Sequence, residues 1–308
     1  MNTYLTYYIY CIIMINKSPI DYVNVNSTQF KNKNILITGS TNGIGEKAAI
    51  TLGKMGSNVY IHGRNKEKGN SIVNKLQKEI GTKSEFFKSD FSNVKEVYAT
   101  SEMIKEEIDT IDVLINNAGG YFRTDKNATN NIEYTFTVNY LSGFILSQEL
   151  LPLLDKSKGQ SHIVFTSSSA HKAVNDMNLE EVMNNNTNNW KSYSRSKLAN
   201  VMLSIKLARK LDDENIRTCA VHPGVIPSSK FLRNIFNINK ITKYIDYIPL
   251  PGISTTNKGA AALINAINSN KNHSGVYYNK FKLESPSEIA QDIDLQDELW
   301  NVSVELIK

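Results

Sequence analysis

A chain of 308 residues, 41% hydrophobic and 21% charged, is long enough and apolar enough to bury a large core, which excludes a disordered or fibrous protein. Its net charge of +5 comes from Lys and Glu that alternate along the chain without a dense basic block, so nucleic acid is not the implied partner. Two cysteines, Cys11 and Cys219, lie far apart with no metal-like spacing; they point to a reducing, cytoplasmic compartment and to no metal site.

Residues Tyr4 to Ile15 are apolar and aromatic for about a dozen positions, short of the roughly 20 that cross a bilayer. No Lys or Arg precedes them and no small-residue cleavage pattern follows, which speaks against a secretory signal. Three readings stay open: an extension packed locally or loose, a membrane-association segment facing the cytosol, and a cleaved or mis-started terminus. The chain then turns polar from Lys17 to Asn34, and a boundary near Ser27 divides an extension, 1–27, from a single domain, 28–308.

Asn34 to Thr38 is a short apolar run of the kind that forms a buried parallel strand. It leads into Gly39-Ser40-Thr41-Asn42-Gly43-Ile44-Gly45, and Glu46 to Met55 reads as a helix. Strand, glycine turn and helix begin a βαβ dinucleotide site, because glycines let the backbone approach a pyrophosphate at a helix N-terminus. The second strand, Asn58 to His62, is followed by Gly63 and Arg64. An NAD-selecting site usually places an acid there for the ribose hydroxyl, whereas an Arg accommodates a 2′-phosphate. The acid is absent and Arg64 is present, which favours NADP(H) over NAD(H); the other account of Arg64 and Lys66 is a solvated helix start.

Helices are expected at Lys66 to Ile80, Val94 to Ile108, Tyr134 to Leu154 and Trp190 to Lys210, and strands at Ser84 to Lys88, Asp112 to Ile115, Ser161 to Thr166 and Arg217 to Val221. This alternation predicts an α/β, Rossmann-type doubly wound domain with one mostly parallel sheet between two helix layers. In such sheets the site gathers beyond the carboxyl ends of the strands. Those ends carry the glycine turn, Asp90, Asn116 to Gly119, Ser167 to Ser169 and His222-Pro223-Gly224. His62, His171 and His222 read as structural or surface residues.

Tyr193 and Lys197, four apart on the expected helix, emerge on one face. A cation fixed beside a phenol pulls its pKa down from about 10, and that predicts a proton-transfer group. Such a pair is common on helices, so its weight depends on its surroundings.

Taken together, the motifs resemble the short-chain dehydrogenase/reductase family. Thr38 to Gly45 is similar to its Thr-Gly-x-x-x-Gly-x-Gly turn, Asn116-Asn117-Ala118-Gly119 to its Asn-Asn-Ala-Gly, and Tyr193 with Lys197 to its Tyr-x-x-x-Lys. Asp90 falls on its adenine-contact aspartate and Asn139 on its mid-helix asparagine. The interval of 25 residues from Ser168 to Tyr193, the run Tyr193 to Val201 and the C-terminal Leu299 to Leu306 look like the retinol dehydrogenase-like branch. The loop Val174 to Trp190 departs from that branch in being Asn-rich.

The resemblance implies catalysis by Asn139, Ser168, Tyr193 and Lys197. Tyr193 exchanges the proton, Ser168 orients the reacting oxygen, Lys197 holds the nicotinamide ribose, and Asn139 holds a relay water. It implies cofactor contacts from Gly39 to Gly45, Asp90, Phe91, Asn117, Ala118, Gly119, Tyr193, Lys197, Pro223, Gly224, Val225 and Ser228. A substrate lid falls at about 225–250; its apolar run Phe231 to Leu250 suggests a lipophilic alcohol or carbonyl, and a core or homo-oligomer face accounts for that run equally. The implied activity is NADP(H)-dependent interconversion of such an alcohol and its aldehyde or ketone. Two competitors are a nucleotide-sugar epimerase, against which the spacing of Gly39, Gly43 and Gly45 argues, and a non-catalytic NADP-binding sensor or scaffold, which would normally have lost a catalytic residue.

Overall fold

The computed structural model describes residues 17–123, 128, 132–155, 159–183, 188–211, 215–226, 254–268 and 273–308. Residues 4–15, Ser228 and all but the start of the 225–250 segment lie outside them.

The apolar runs form one sheet in the order β3-β2-β1-β4-β5-β6-β7-β8. Its strands are β1 Asn34–Ile37, β2 Asn58–Gly63, β3 Phe86–Lys88, β4 Val113–Asn116, β5 Ser161–Thr166, β6 Ile216–His222, β7 Val276–Asn279 and β8 Lys282–Glu284. All neighbours run parallel except β7 and β8, which pair as an antiparallel hairpin. Strands covered on both faces lose all contact with water, and Ile35, Leu36, Ile37, Leu114, Ile115, Ile163, Val164 and Phe165 are fully buried. The order reverses between β1 and β4, and it is beside that switch that the glycine turn and Asn116 to Gly119 meet.

The principal helices are α1 Gly43–Lys54, α2 Lys66–Asn74, α3 Val94–Glu107, α4 Ser142–Glu149, α5 Asn189–Lys210, α6 Thr256–Ile267 and α7 Ile293–Leu306. α1 and α6 cover one face together with Phe30 and Leu76, while α3, α4, α5 and α7 cover the other, so two cores flank the sheet. Before the sheet begins, Pro19 is buried and Asn257 Nδ2 of α6 donates to Lys17 O at 2.8 Å.

Three elements differ from expectation. The helix expected over Tyr134 to Leu154 is interrupted: after a turn at Tyr134–Phe136, residues Thr137–Leu141 form a π turn around Asn139. It breaks again at Leu150 and resumes as a short helix, Leu151–Asp155, with Pro152 in its first turn, where the N–H that proline lacks has no partner to lose. The β7/β8 hairpin is absent from the sequence reading; four and three residues carry too little alternation to identify it. Helix α2 finishes in a π turn, Lys75–Ile80, closed by Gly81 at φ +85°.

The segment between Ser168 and Tyr193 is tied to α5 by a buried cation. Arg195, fully buried, donates from Nε to Asp176 Oδ1 at 2.9 Å and from Nη1 to Glu181 Oε2 at 2.6 Å, and its Nη2 also meets Asp176. Lys191 adds longer contacts to both carboxylates. Burial works to raise the Asp176 carboxyl, yet the hydrogen bonds from Arg195 and the Asn178 amide hold it below its ordinary value; Glu181 is lowered chiefly by its bond to Arg195. A carboxylate with a depressed folded pKa stabilises the fold above its unfolded pKa, and that contribution is lost as pH falls through the folded value. Replacing Arg195 by Met is therefore expected to lower the Tm most near about pH 7, with the difference from wild type narrowing towards about pH 3. Thermal melts across that range check this; a gap that does not change with pH would remove the ion pairs from the account.

Candidate functional site

The glycine turn owes its shape to contacts a side chain would prevent. Gly39 has φ +64°, and a Cβ there would lie 2.7 Å from Ala118 Cα; one on Gly45 would lie 2.7 Å from Asn117 Nδ2 and from Gly39 O. A Cβ on Gly43 would meet nothing within 4 Å, so this position faces open space at the start of α1. Asn42, the residue before α1, is exposed and makes no side-chain cap to it. An uncapped helix N-terminus behind an open glycine suits an anionic pyrophosphate, so the residues present fit a dinucleotide.

Not every residue of the turn faces outward. Ser40 is fully buried, donating to Ile37 O at 2.7 Å and accepting from the His62 amide at 3.0 Å. Thr41 and Ile44 are half-buried; the first packs on Gly63 and the second lies where Gly259 of α6 comes close. His62 accepts from the Gly39 amide through Nδ1 at 3.2 Å and donates from Nε2 to Ser89 O at 3.3 Å, which requires the neutral ring. Burial pushes its pKa down to about 3, and the ring stacks on Phe91 at 3.8 Å. His62 is thus a structural strut between the turn and β3.

Arg64 stands at the end of β2 with a side chain 55% exposed, 3.4 Å from Asp90 Oδ2 and 3.4 Å from the Tyr134 hydroxyl. Asp90 Oδ1 accepts from the Ser92 amide at 3.0 Å. Across the switch, the Asn117 and Ala118 amides both donate to Thr38 Oγ1 at 2.9 Å, and Asn117 Nδ2 donates to Thr38 O at 2.9 Å, so these two residues lock β4 to β1. Pro223, Gly224 and Val225 follow β6; Gly224, at φ +100°, lies against Ser254, whose amide donates to Val225 O at 2.7 Å.

The four residues assigned to catalysis converge. Tyr193 is buried at 6% exposure, and the Lys197 ammonium lies 5.7 Å from its ring centroid, as helical spacing predicts. Of the three consecutive serines, Ser168 is the one hydrogen-bonded to Tyr193. Ser167 Oγ donates to Lys197 O at 2.8 Å, and Ser169 is exposed. Ser168 also serves as a cap, its hydroxyl accepting from the Ala170 amide at 3.2 Å. Asn139 bridges inward: its Oδ1 accepts from the Gly120 amide at 2.8 Å and its Nδ2 donates to Ser196 Oγ at 2.9 Å. Gly119 lies flat against this group, since a Cβ there would be 2.7 Å from Asn139 Oδ1 and 3.5 Å from Lys197 Nζ.

The electrostatics depart from the expectation that Lys197 lowers the Tyr193 pKa. Burial pushes the phenol up to about 12, only partly opposed by its bond to Ser168, and burial likewise pushes Lys197 down to about 7. Both charged forms lose their water on burial, the leading cause at each group. Lys197 keeps one strong acceptor, Thr166 O at 2.8 Å.

Residues the sequence reading passed over also line this group. Tyr121 meets Tyr193 edge-on at 6.0 Å, and Trp190, 44% exposed, lies 6.0 Å from the same ring. Asn200 of α5 donates to Asn139 O at 3.0 Å and to Thr166 O at 3.4 Å. Its helical spacing from Lys197 was the available signal, a polar residue on a face that should otherwise be apolar. No group of three or more His, Cys, Asp or Glu suited to a metal occurs among the described residues, and no described helix is long and apolar enough to cross a membrane.

Comparison with known proteins places this geometry. The family model for short chain dehydrogenases matches residues 33–237. Retinol dehydrogenase 12 of Bos taurus is 30% identical over 283 residues, covering 91% of this chain and 87% of the relative. Among solved structures, a protein from Mycobacterium paratuberculosis superposes with a TM-score of 0.72 at 23% identity, covering 94% of this chain and 97% of that one. One from Escherichia coli CFT073, complexed with NADPH, gives 0.64 at 22% identity, covering 84% and 100%. A match over most of the domain, with the turn and the Tyr193 group at the carboxyl edge of the sheet, makes this chain a member of the short-chain dehydrogenase family, an oxidoreductase of the alcohol/carbonyl couple that binds a nicotinamide cofactor.

Proposed function

We propose that the protein is an NADP(H)-dependent oxidoreductase that interconverts a lipophilic alcohol and its aldehyde or ketone, with Tyr193 as the proton-transfer group. The observation that carries this reading is the contact of Ser168 with Tyr193 beside Lys197, all three buried at one strand end. The nicotinamide, when bound, supplies or accepts the hydride.

The chain's own residues handle the oxygen and the proton. Ser168 and Tyr193 present two hydroxyls to one substrate oxygen; a donor already aimed at developing charge needs no reorganisation when the charge appears. With its pKa raised, Tyr193 rests as the neutral phenol, the form that donates in reduction. In oxidation the phenol oxygen accepts the alcohol proton, helped by the ammonium of Lys197 behind its ring. Asn139 holds Gly120 on one side and Ser196 of α5 on the other, keeping the two walls of the site at a fixed separation. The aromatic edges of Tyr121 and Trp190 around the phenol favour an apolar substrate body over a charged one.

The preference for NADP(H) rests on Arg64. Its contacts to Asp90 and Tyr134, both 3.4 Å, are at the outer limit of hydrogen bonding, so a 2′-phosphate would gain shorter, charge-assisted bonds from the same guanidinium. The NADPH complex of the Escherichia coli neighbour is consistent with this cofactor class.

Two measurements test the reading. Tyr193→Phe is expected to lower kcat for NADPH-dependent reduction of retinal, decanal and other apolar carbonyls by about 10²- to 10⁴-fold, while NADPH binding followed by fluorescence persists. A variant that keeps near-normal rates would remove Tyr193 from the chemistry. Arg64→Asp is expected to weaken NADPH by about 10- to 100-fold relative to NADH, the equivalent of one or two charge-assisted hydrogen bonds. Unchanged preference would return Arg64 to a solvated helix start.

A further inference from the structure

Asn200 is 2% exposed on α5, one turn beyond Lys197, where a buried carboxamide must satisfy three polar valences or lose stability. Its Nδ2 spends both hydrogens on carbonyls from different elements, Asn139 O of the π turn at 3.0 Å and Thr166 O at the end of β5 at 3.4 Å. Both partners are acceptors, which fixes the orientation of the amide. Thr166 O is the same oxygen that receives the Lys197 ammonium at 2.8 Å, so Asn200 and Lys197 share one acceptor. The remaining atom, Asn200 Oδ1, is buried with no hydrogen-bond partner among the described residues.

Three further facts bear on what this arrangement does. The site's other elements bring Thr166 O and the Gly119 backbone to the Lys197 ammonium, neither of them titratable, and Tyr193 lies beside it on its own helix. Among the described residues no carboxylate shifts Lys197, whose hydrogen-bond acceptor is the Thr166 carbonyl. A π turn opens the helical hydrogen-bond ladder by one residue, so the Asn139 carbonyl is one whose direction an outside donor can set.

We propose that Asn200 is a positioning residue for the reaction: its amide fixes the Asn139 carbonyl of the π turn and the Thr166 carbonyl that receives the Lys197 ammonium. This deepens the proposed function and rests on Tyr193 and Lys197 being the proton-transfer pair. The Asn139 carbonyl, already bonded to Asn200, is on this view set in place by the amide rather than left to solvent.

The test compares wild type, Asn200→Ala, Asn200→Asp and Tyr193→Phe in NADPH-dependent reduction of retinal, with kcat recorded against pH and the folded fraction followed by circular dichroism and thermal melts. Both Asn200 variants are expected to lower kcat by about 10- to 100-fold per folded molecule, as misplacement of a catalytic group does. Their ionisation nearest neutrality should move in opposite directions. A carboxylate near the ammonium favours its charged form and moves the ionisation up by about 1 unit or more, whereas loss in Asn200→Ala of the amide that holds Thr166 O, the lysine's acceptor, moves it down. A purely structural role would not give shifts of opposite sign. Profiles that coincide with wild type, or losses that track the unfolded fraction alone, overturn the proposal. An active Tyr193→Phe, or a wild type inert towards retinal and every other apolar carbonyl tried, overturns the reading beneath it instead; an inactive Tyr193→Phe beside unaffected Asn200 variants overturns the Asn200 assignment alone.

Discussion

The constraint on which the rest of the site depends is a buried ammonium on which, among the described residues, no carboxylate acts. Lys197, 4% exposed, sits where burial alone drives its pKa to about 7, and what stabilises its charge is a strand-end carbonyl and the dipoles around it. A buried Asp or Glu would hold the charge more strongly, but it would also hold it constantly, and a group meant to influence a neighbouring proton gains from being near its titration point. Helix α5 is polar as well as buried along this stretch. Ser192, Ser194, Arg195, Ser196, Lys197, Asn200 and Ser204 are all buried, a dense polar surface, and hydrogen bonds join the helix to β5, to the π turn and, through Arg195, to the loop before it.

That dense face has a mechanical consequence. Ser167 reaches the Lys197 carbonyl, Asn139 reaches Ser196, and Asn200 reaches both Asn139 and Thr166, so the strand end, the π turn and α5 are tied in a closed loop of hydrogen bonds. Networks of this sort are stable only when nearly every member is satisfied. Here Asn200 Oδ1 is a buried member left without a partner among the described residues. The dinucleotide end is organised differently: backbone approach at Gly39 and Gly45, an open Gly43, and the His62 strut replace side-chain networks. Backbone geometry thus shapes the glycine-turn end, and side-chain hydrogen bonds shape the end at Tyr193 and Lys197.

The fold was largely legible in the sequence. Fully buried parallel strands leave continuous apolar runs, and Asn34 to Thr38, Asp112 to Ile115 and Ser161 to Thr166 each lie within a residue of the strands found. The glycine turn and the Tyr193/Lys197 spacing were visible because both depend on short-range geometry, a close backbone approach and a helical repeat. The β7/β8 hairpin and the π turn at Asn139 were not. The hairpin is too short to carry a period of its own, and a π turn costs a helix one residue of register without any change in residue type that would reveal it.

The amino-acid sequence by itself carried the family resemblance in its motifs, and it determined the order of the elements as far as β6 and which residues approach one another along a single strand end or helix face, since elements and neighbours follow from periods of two and 3.6 and from glycines at fixed offsets. Only the tertiary structure decided that Arg195 is a buried clamp rather than a solvated charge and that Asn200 shares an acceptor with Lys197. It also set burial against the lowering expected at Tyr193. A pKa answers to burial as much as to a neighbouring charge, and burial is a property of all the elements packed around a residue, which no local spacing encodes.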